Sequence, residues 1–295
     1  MDATDLKVFE AVATTGSMNK AALELNTVQS NVTARIKSLE DEVGFALFER
    51  TNRGVTLTAA GTRLLPFAAR AAGLLEDAKR AVADEGTPSG ALAIGSLETT
   101  AALHLPPILA AFAGTYPAVD LSLRTGTTGE LIEQVLKRQL DGAYVCGPID
   151  HPNLVSEPFV REELVMLTAP DVASFESLAA KPHLKIIVPK AGCSYRLQLE
   201  AMLARRGIVG IRVLEFGTLG AIISCVSAGL GVTLLPRALL GPVWERGRVR
   251  VHPLPDGEGQ VETVFIRHRE AFVSSALRAF LDFDRPTPAS VAAAE

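Results

Sequence analysis

The sequence predicts a chain in two parts: an N-terminal winged helix-turn-helix with a long helix behind it, then a larger α/β domain. Three observations lead there. At 295 residues, 48% of them apolar, the chain exceeds what one core usually needs. Within the first sixty residues, apolar side chains recur at helical spacing in three short segments, and two short strand-like runs follow. Beyond Gly90, short apolar strands alternate with helical patterns, which implies an α/β fold with largely parallel sheets.

Thr4 is read as the cap of a first helix, which buries Leu6, Phe9, Val12 and Ala13 and stops at Gly16. Ser17 caps a second helix, buried by Ala21, Ala22 and Leu25, and Asn26-Thr27 makes the turn. A third helix buries Val28, Val32, Ile36, Leu39 and Val43 and ends at Gly44. Its other face shows Gln29, Ser30, Asn31, Thr33, Arg35 and Lys37. Small polar groups at a helix start can reach base edges and cations further on can reach phosphates, so this face suits a major groove. Residues 45–50 and 55–58 read as two strands around the turn Thr51-Asn52-Arg53-Gly54. That hairpin is a wing, with Arg50 in its first strand and Arg53 at its tip, placed for the minor groove or the backbone.

Thr58 caps a long helix to about Asp84. Leu64, Ala68, Ala71, Leu75, Ala78 and Val82 step along it by four and three residues, a heptad seam whose alanines let two helices approach closely. The expected partner is a second copy, paired through residues 58–84; packing on its own domain is the alternative. Gly86-Thr87-Pro88-Ser89-Gly90 has the composition of a hinge.

In the C-terminal part, strands are expected at 92–95, 119–124, 142–146, 164–168, 184–188, 212–216 and 231–235. Helices are expected from the first strand to about Tyr116, at 127–140 with the capping box Thr127-x-x-Glu130, at 194–206, 219–228 and 274–283.

The run Gly16-Ser17, Ala21-Ala22, Leu25-Asn26, Gln29-Ser30, Val32-Thr33, Ile36, Leu39-Glu40, Gly44, Leu47-Phe48, Arg50, Arg53, Leu57-Thr58 and Ala60-Gly61 resembles the DNA-binding domain of LysR-type transcriptional regulators. Family members often carry an Ala-Leu-Ser-like triplet after the Gln; Asn31-Val32-Thr33 stands here instead. Phe112-x-x-x-Tyr116-Pro117-x-Val119, Leu121-x-Leu123-x-x-Gly126 and Ala228-Gly229-Leu230-Gly231-Val232-x-Leu234-Leu235-Pro236 resemble that family's effector domain, which is similar to periplasmic binding proteins. The resemblance implies residues 1–58 as the DNA-binding domain, 59–90 as linker helix and hinge, and 91–295 as a two-lobed effector domain. Lobe I would take about 91–161 plus 266–285 and lobe II about 162–265, with crossovers at 160–162 and 265–268. It also implies a homotetramer, promoter DNA and a small-molecule effector as partners, and RNA polymerase as a further candidate.

Open α/β sheets bind ligands beyond the carboxyl ends of their strands. Four loops qualify: Ser96, Thr99 and Thr100; Thr125, Thr127 and Thr128; Cys193, Ser194 and Arg196; Phe216 and Thr218. Hydroxyls and free amides at helix starts suit a carboxylate, and Arg196 would add a bidentate hold, so a small organic anion is expected. Each hydroxyl has the alternative role of a plain cap, and Arg196 that of an inter-lobe cation. A regulator that senses oxidation through Cys193 and Cys225 is a second expectation, and a small-molecule binder whose winged helix contacts only protein is a third.

No cofactor, metal or catalytic residue is expected. The three cysteines form no C-x-x-C pair, the five histidines are scattered singly, and neither a P-loop nor G-x-S-x-G occurs. The net charge of −4 gives no basic footprint, and residues 1–60 hold eight acids against six lysines and arginines. Phosphate contact therefore falls to a few placed cations. With an acidic start and no long apolar run, neither a secretory signal nor a membrane span is expected, and the reading is cytoplasmic.

Overall fold

In the computed structural model, which describes residues 1–51, 54–174, 184–189, 192–241, 247–255 and 257–284, Asp2 rather than Thr4 starts the first helix, α1 (Ala3–Thr15). The Asp2 carboxylate accepts from the N–H of Thr4 and of Asp5, at 2.8 and 2.9 Å, and the Asp5 carboxylate accepts from Asp2 N–H at 3.1 Å. A reciprocal box satisfies more orphan amides than a threonine hydroxyl can, and its charge lies at the positive end of the helix dipole. Gly16, at φ 63°, closes α1 in the left-handed conformation.

Helices α2 (Met18–Glu24) and α3 (Gln29–Val43) follow, with Ser17 capping α2 through Lys20 N–H. The wing is β1 (Phe48–Thr51) and β2 (Gly54–Leu57), antiparallel. Residues 45–47 stay outside the strand. Their place is set by Glu40, whose carboxylate accepts from the N–H of Leu47 and Phe48 at 2.7 and 3.1 Å. One core holds this unit together: Phe9, Val12, Ala21, Val32, Ile36, Leu39 and Leu47 are buried with Ala68 of α4 (Ala59–Ala83).

The long helix serves that core first. Leu64 and Ala68, expected on the pairing seam, pack into their own unit. The apolar side chains left in water are Phe67 (69% exposed), Leu74, Leu75 and Val82 (89%). The exposed apolar stripe therefore begins at Phe67 and runs Phe67, Leu74, Leu75, Ala78 and Val82, keeping Leu75, Ala78 and Val82 of the expected seam.

Residues 1–84 and 85–295 form two separate units. In the second, β3 (Gly90–Ser96) pairs in parallel with both β4 (Val119–Thr125) and β5 (Gly142–Cys146). The single helix expected between β3 and β4 is two, α5 (Glu98–Leu103) and α6 (Leu105–Thr115). Pro106 and Pro107 lack the N–H that would continue α5 but suit the first turn of a new helix. The capping box of Thr127 and Glu130 opens α7 (Thr128–Leu136) as expected.

The sequence reading expected lobe crossovers at 160–162 and 265–268 but no strands over 154–163 or 260–268. β6 (Leu154–Thr168) is fifteen residues long. Its residues 154–163 pair antiparallel with β11 (Gln260–His268), which pairs with β5. Its residues 164–168 lie between β9 (Thr233–Pro236) and β10 (Arg250–Pro253), antiparallel to both. The second sheet extends from β9 through the Ile186–Val232 bridge to β7 (Lys185–Val188) and β8 (Arg212–Glu215), which are parallel. Helices α8 (Ser194–Arg205) and α9 (Leu219–Ser227) bury Leu199, Met202, Ile222 and Ile223 against it, and α10 (Ser275–Asp284) buries Ala276 and Phe280 against the first sheet.

Gly61, in the first turn of α4, has no room for a side chain: an added Cβ would lie 2.2 Å from the Leu47 backbone oxygen. Gly61→Ala is expected to destabilise the N-terminal unit by about 1–3 kcal/mol through overpacking. Urea unfolding of the full chain, followed by circular dichroism, should show the corresponding transition at lower denaturant; an unmoved transition would refute that packing.

Candidate nucleic-acid interface and effector cleft

Helix α3 leaves Gln29, Ser30, Asn31 and Lys37 in water, with Thr33 half-buried among them. Val28 precedes α3 without capping it, so the first-turn amides are not taken by a cap side chain. Asn31 donates its side-chain N–H to Thr27 Oγ1 at 3.0 Å, which orients the amide along the turn. Gln29 and Thr33 share an open depression with Ser17, Met18 and Asn19 of α2 and with Gly54 and Val55 of the wing. Val55 N–H donates to Gly16 O at 3.0 Å, so the wing is docked beside the start of α2. Arg35 does not belong with this group. Its guanidinium donates to Asp5 at 2.8 Å and lies 3.9 Å from Asp2, tying α3 to α1. Of Arg50, the strand position alone is described, and Arg53 falls outside the described residues.

A cavity of about 150 Å³ lies between the two lobes of the second unit. Lobe I supplies Leu97, Glu98 and Thr99 at the start of α5, and Thr125, Gly126, Thr127 and Glu130 at the start of α7. Lobe II supplies Pro189, the α8 start (Cys193, Ser194, Tyr195), and Phe216, Gly217 and Leu219 at the α9 start. Three hydrogen bonds cross between the lobes here. Glu98 Oε1 accepts from Leu219 N–H at 3.1 Å. Thr99 Oγ1 meets the Tyr195 hydroxyl at 3.3 Å. Thr128 Oγ1 meets Ser194 Oγ at 3.1 Å and also accepts from Cys146 N–H at 3.3 Å.

Of the residues expected here from the sequence, Thr99, Thr125, Thr127, Cys193, Ser194 and Phe216 line the cavity. Ser96 and Thr100 are buried within lobe I, with Ser96 Oγ donating to Leu97 O at 3.0 Å. Thr218 is a helix cap, accepting from Ala221 N–H at 3.3 Å. Arg196 is held by Glu200 and Glu215, both at 3.0 Å, and lies outside the lining. Sequence reasoning chose Arg196 for its charge. Successive helical residues diverge by about 100°, and it is Tyr195 that faces the cleft. Glu98 and Glu130 were likewise passed over, although both sit in the first turns of helices whose starts the sequence had singled out.

Burial pushes the thiols of Cys146 and Cys193 up, which opposes the thiolate that an oxidation sensor needs. Tyr195 is raised far more, first by burial and then by the nearby Glu162 carboxylate, so its hydroxyl stays a donor throughout the physiological range. Among the described residues, no cluster of three or more His, Cys, Asp or Glu could hold a metal ion, and no helix is long and apolar enough to cross a membrane.

The raised Tyr195 pKa gives a spectroscopic expectation. Its neutral form is favoured by folding, so its contribution to stability is present below about pH 10 and is lost only as pH rises further. Subtracting the 295-nm titration of Tyr195→Phe from that of the native chain should leave no phenolate signal up to about pH 10.5. A phenolate step near pH 10 would contradict the buried, bonded hydroxyl.

A family profile described as the bacterial regulatory helix-turn-helix protein, lysR family, matches residues 3–62, and one described as the LysR substrate binding domain matches residues 85–287. The HTH-type transcriptional regulator YusT of Bacillus subtilis (strain 168) is 46% identical over 97% of this chain and 96% of its own. A full-length OxyR variant from Pseudomonas aeruginosa superimposes with a TM-score of 0.68 at 21% identity, over 98% of this chain and 96% of that one. Full-length CbnR solved with its target DNA gives 0.60 at 24% identity, over 97% and 99%. The chain belongs to the LysR family of helix-turn-helix transcriptional regulators, with a DNA-binding domain in front of an effector-binding domain.

Proposed function

We propose that this regulator reads a promoter with the start of α3, pairs with a second copy through α4, and changes its DNA binding or activation when a small molecule closes the inter-lobe cleft. The observation that carries the reading is the exposed start of α3, with Gln29, Ser30 and Asn31 in water beside the docked wing. Those side chains have the reach and donor–acceptor character for base edges in a major groove. Lys37 supplies a phosphate contact further along the helix, and Arg50 and Arg53 of the wing supply more.

Pairing along Phe67, Leu74, Leu75, Ala78 and Val82 would bury an apolar stripe now in water. Two recognition helices would then fall about 34 Å apart, or a multiple of it, and the operator would be an inverted repeat. A homotetramer is the assembly we expect, with RNA polymerase as a further contact. The effector is a small molecule with a carboxylate, received at the N-terminus of α8. Ligand-dependent closure is typically worth about 1–3 kcal/mol of coupling, enough to shift occupancy several-fold. It acts only if the ligand binds the two arrangements differently.

Purified full-length protein on fragmented native DNA, at two salt concentrations, tests this directly. Enrichment of a few inverted repeats that weakens with salt is expected; uniform or absent binding would leave the winged helix as a protein-contact module. On an enriched site, Lys37→Ala should lower affinity evenly across sequences and shallow the salt slope by about one. Gln29→Ala should relax the preference at one base position, a loss of about 1–3 kcal/mol of discrimination. Leu74→Glu should shift the sedimentation coefficient toward smaller species at micromolar concentration, and an unchanged oligomer would remove α4 as the pairing helix.

A further inference from the structure

We propose that the inter-lobe cavity takes a zwitterionic amino-carboxylate, an α-amino acid or a molecule of that form, with its ammonium against lobe I and its carboxylate against lobe II. The inference rests on the reading of this cavity as the effector site and names the ligand class. The two walls differ in polarity. On lobe I, both charged side chains among the described lining residues are acids, Glu98 and Glu130. Glu98 spends Oε1 on Leu219 N–H, and Oε2 accepts no hydrogen bond among the described residues. A half-buried carboxylate lining a cavity draws a cationic donor, and an ammonium supplies three N–H groups.

On lobe II the wall is the N-terminal end of α8, a helix of twelve residues. Hydroxyls cap α2, α4, α7 and α9, through Ser17, Thr58, Thr127 and Thr218. At α8 the capping position holds Cys193, whose sulfur faces the N–H groups of Tyr195 and Arg196 but is a weaker acceptor than a hydroxyl, so an anion's oxygens would serve those amides better. Ser194 and Tyr195 add hydroxyls beside them.

A dicarboxylate would set one anion against Glu98 and Glu130. A simple amine would leave the α8 amides without a partner. An amino-carboxylate answers both walls at once, and by bridging them it stabilises the closed pair of lobes. Leu97, Phe216 and Leu219 leave an apolar surface for a short side chain.

The test is calorimetric titration of the full-length protein with each of the twenty L-amino acids, each paired with its 2-oxo acid and its decarboxylated amine. At least one amino acid should bind, with both counterparts at least tenfold weaker. Glu98→Gln keeps an acceptor for Leu219 N–H but removes the charge; it should weaken the amino acid about tenfold and leave the 2-oxo acid unchanged or tighter. Gly217→Trp fills the cavity from a position where an added Cβ meets nothing within 4 Å, and should abolish binding. An unchanged thermal unfolding transition of the full chain, followed by far-UV circular dichroism, shows that each variant is folded. A 2-oxo acid that binds as tightly as its amino acid, and is lost in Gly217→Trp, overturns the ligand class and leaves the cavity reading standing. Amino-acid binding that survives Gly217→Trp removes the cavity itself. If no amino acid binds, the proposal fails.

Discussion

The effector domain depends on the backbone pairing of one strand. β6 belongs to two sheets, pairing with β11 over residues 154–163 and with β9 and β10 over residues 164–168. A strand that changes partners midway cannot let either sheet move far without the other, so the lobes are joined by a short hinge with the cleft beside it. The crossover is also where polar groups are buried. Glu162 is almost fully enclosed and meets His104 Nε2 at 3.0 Å. Next to it, Arg237 grips Glu163 with two bonds of 2.7 and 2.9 Å, holding that carboxyl below its usual range and tying the end of β9 to β6.

From that hinge the cleft assembles by helix starts. α5 and α7 of lobe I, and α8 and α9 of lobe II, all begin at the cavity. Amides without helical partners therefore converge from several directions, and each must be met by a side chain, the opposite lobe or a ligand. Glu98 meets one of them from across the cleft. Contacts such as Thr99 with Tyr195 and Thr128 with Ser194 are the ones a bound molecule would have to reinforce or replace if it is to act as a switch.

The N-terminal unit solves a different problem with one helix. α4 must complete a small core and keep an apolar edge for a partner. It does so by turning Leu64 and Ala68 inward over its first turns and leaving Phe67, Leu74 and Val82 outside. A heptad pattern records that a helix has an apolar stripe. It does not record which neighbour covers each part of that stripe, and Leu64 and Ala68, at the start of the seam read from spacing alone, are covered by their own unit.

The sequence by itself determined the winged helix-turn-helix, the long helix, the α/β character of the rest and most helix ends. These follow from local physics: Gly16 and Gly44 in left-handed caps, Ser17 and Thr58 as first-turn acceptors, and the Thr127–Glu130 box. It also marked the loops from which Thr99, Thr125, Thr127, Cys193, Ser194 and Phe216 reach the cavity. Tertiary structure alone decided the rest. Residues 154–163 and 260–268 carry mixed polar and apolar side chains, and become strands because β5 and each other supply the pairing. Arg35 reads as a free cation until the fold brings Asp5 to within 2.8 Å, and Arg196 until Glu215 closes on it at 3.0 Å, although its other partner, Glu200, is an i,i+4 neighbour on α8. Glu98 carried no reading in the sequence, and gains its role only when Leu219, far along the chain, is placed against it. Asp5 and Leu219 are distant in sequence from the residues they decide, and their effect exists only once folding has removed the water between them.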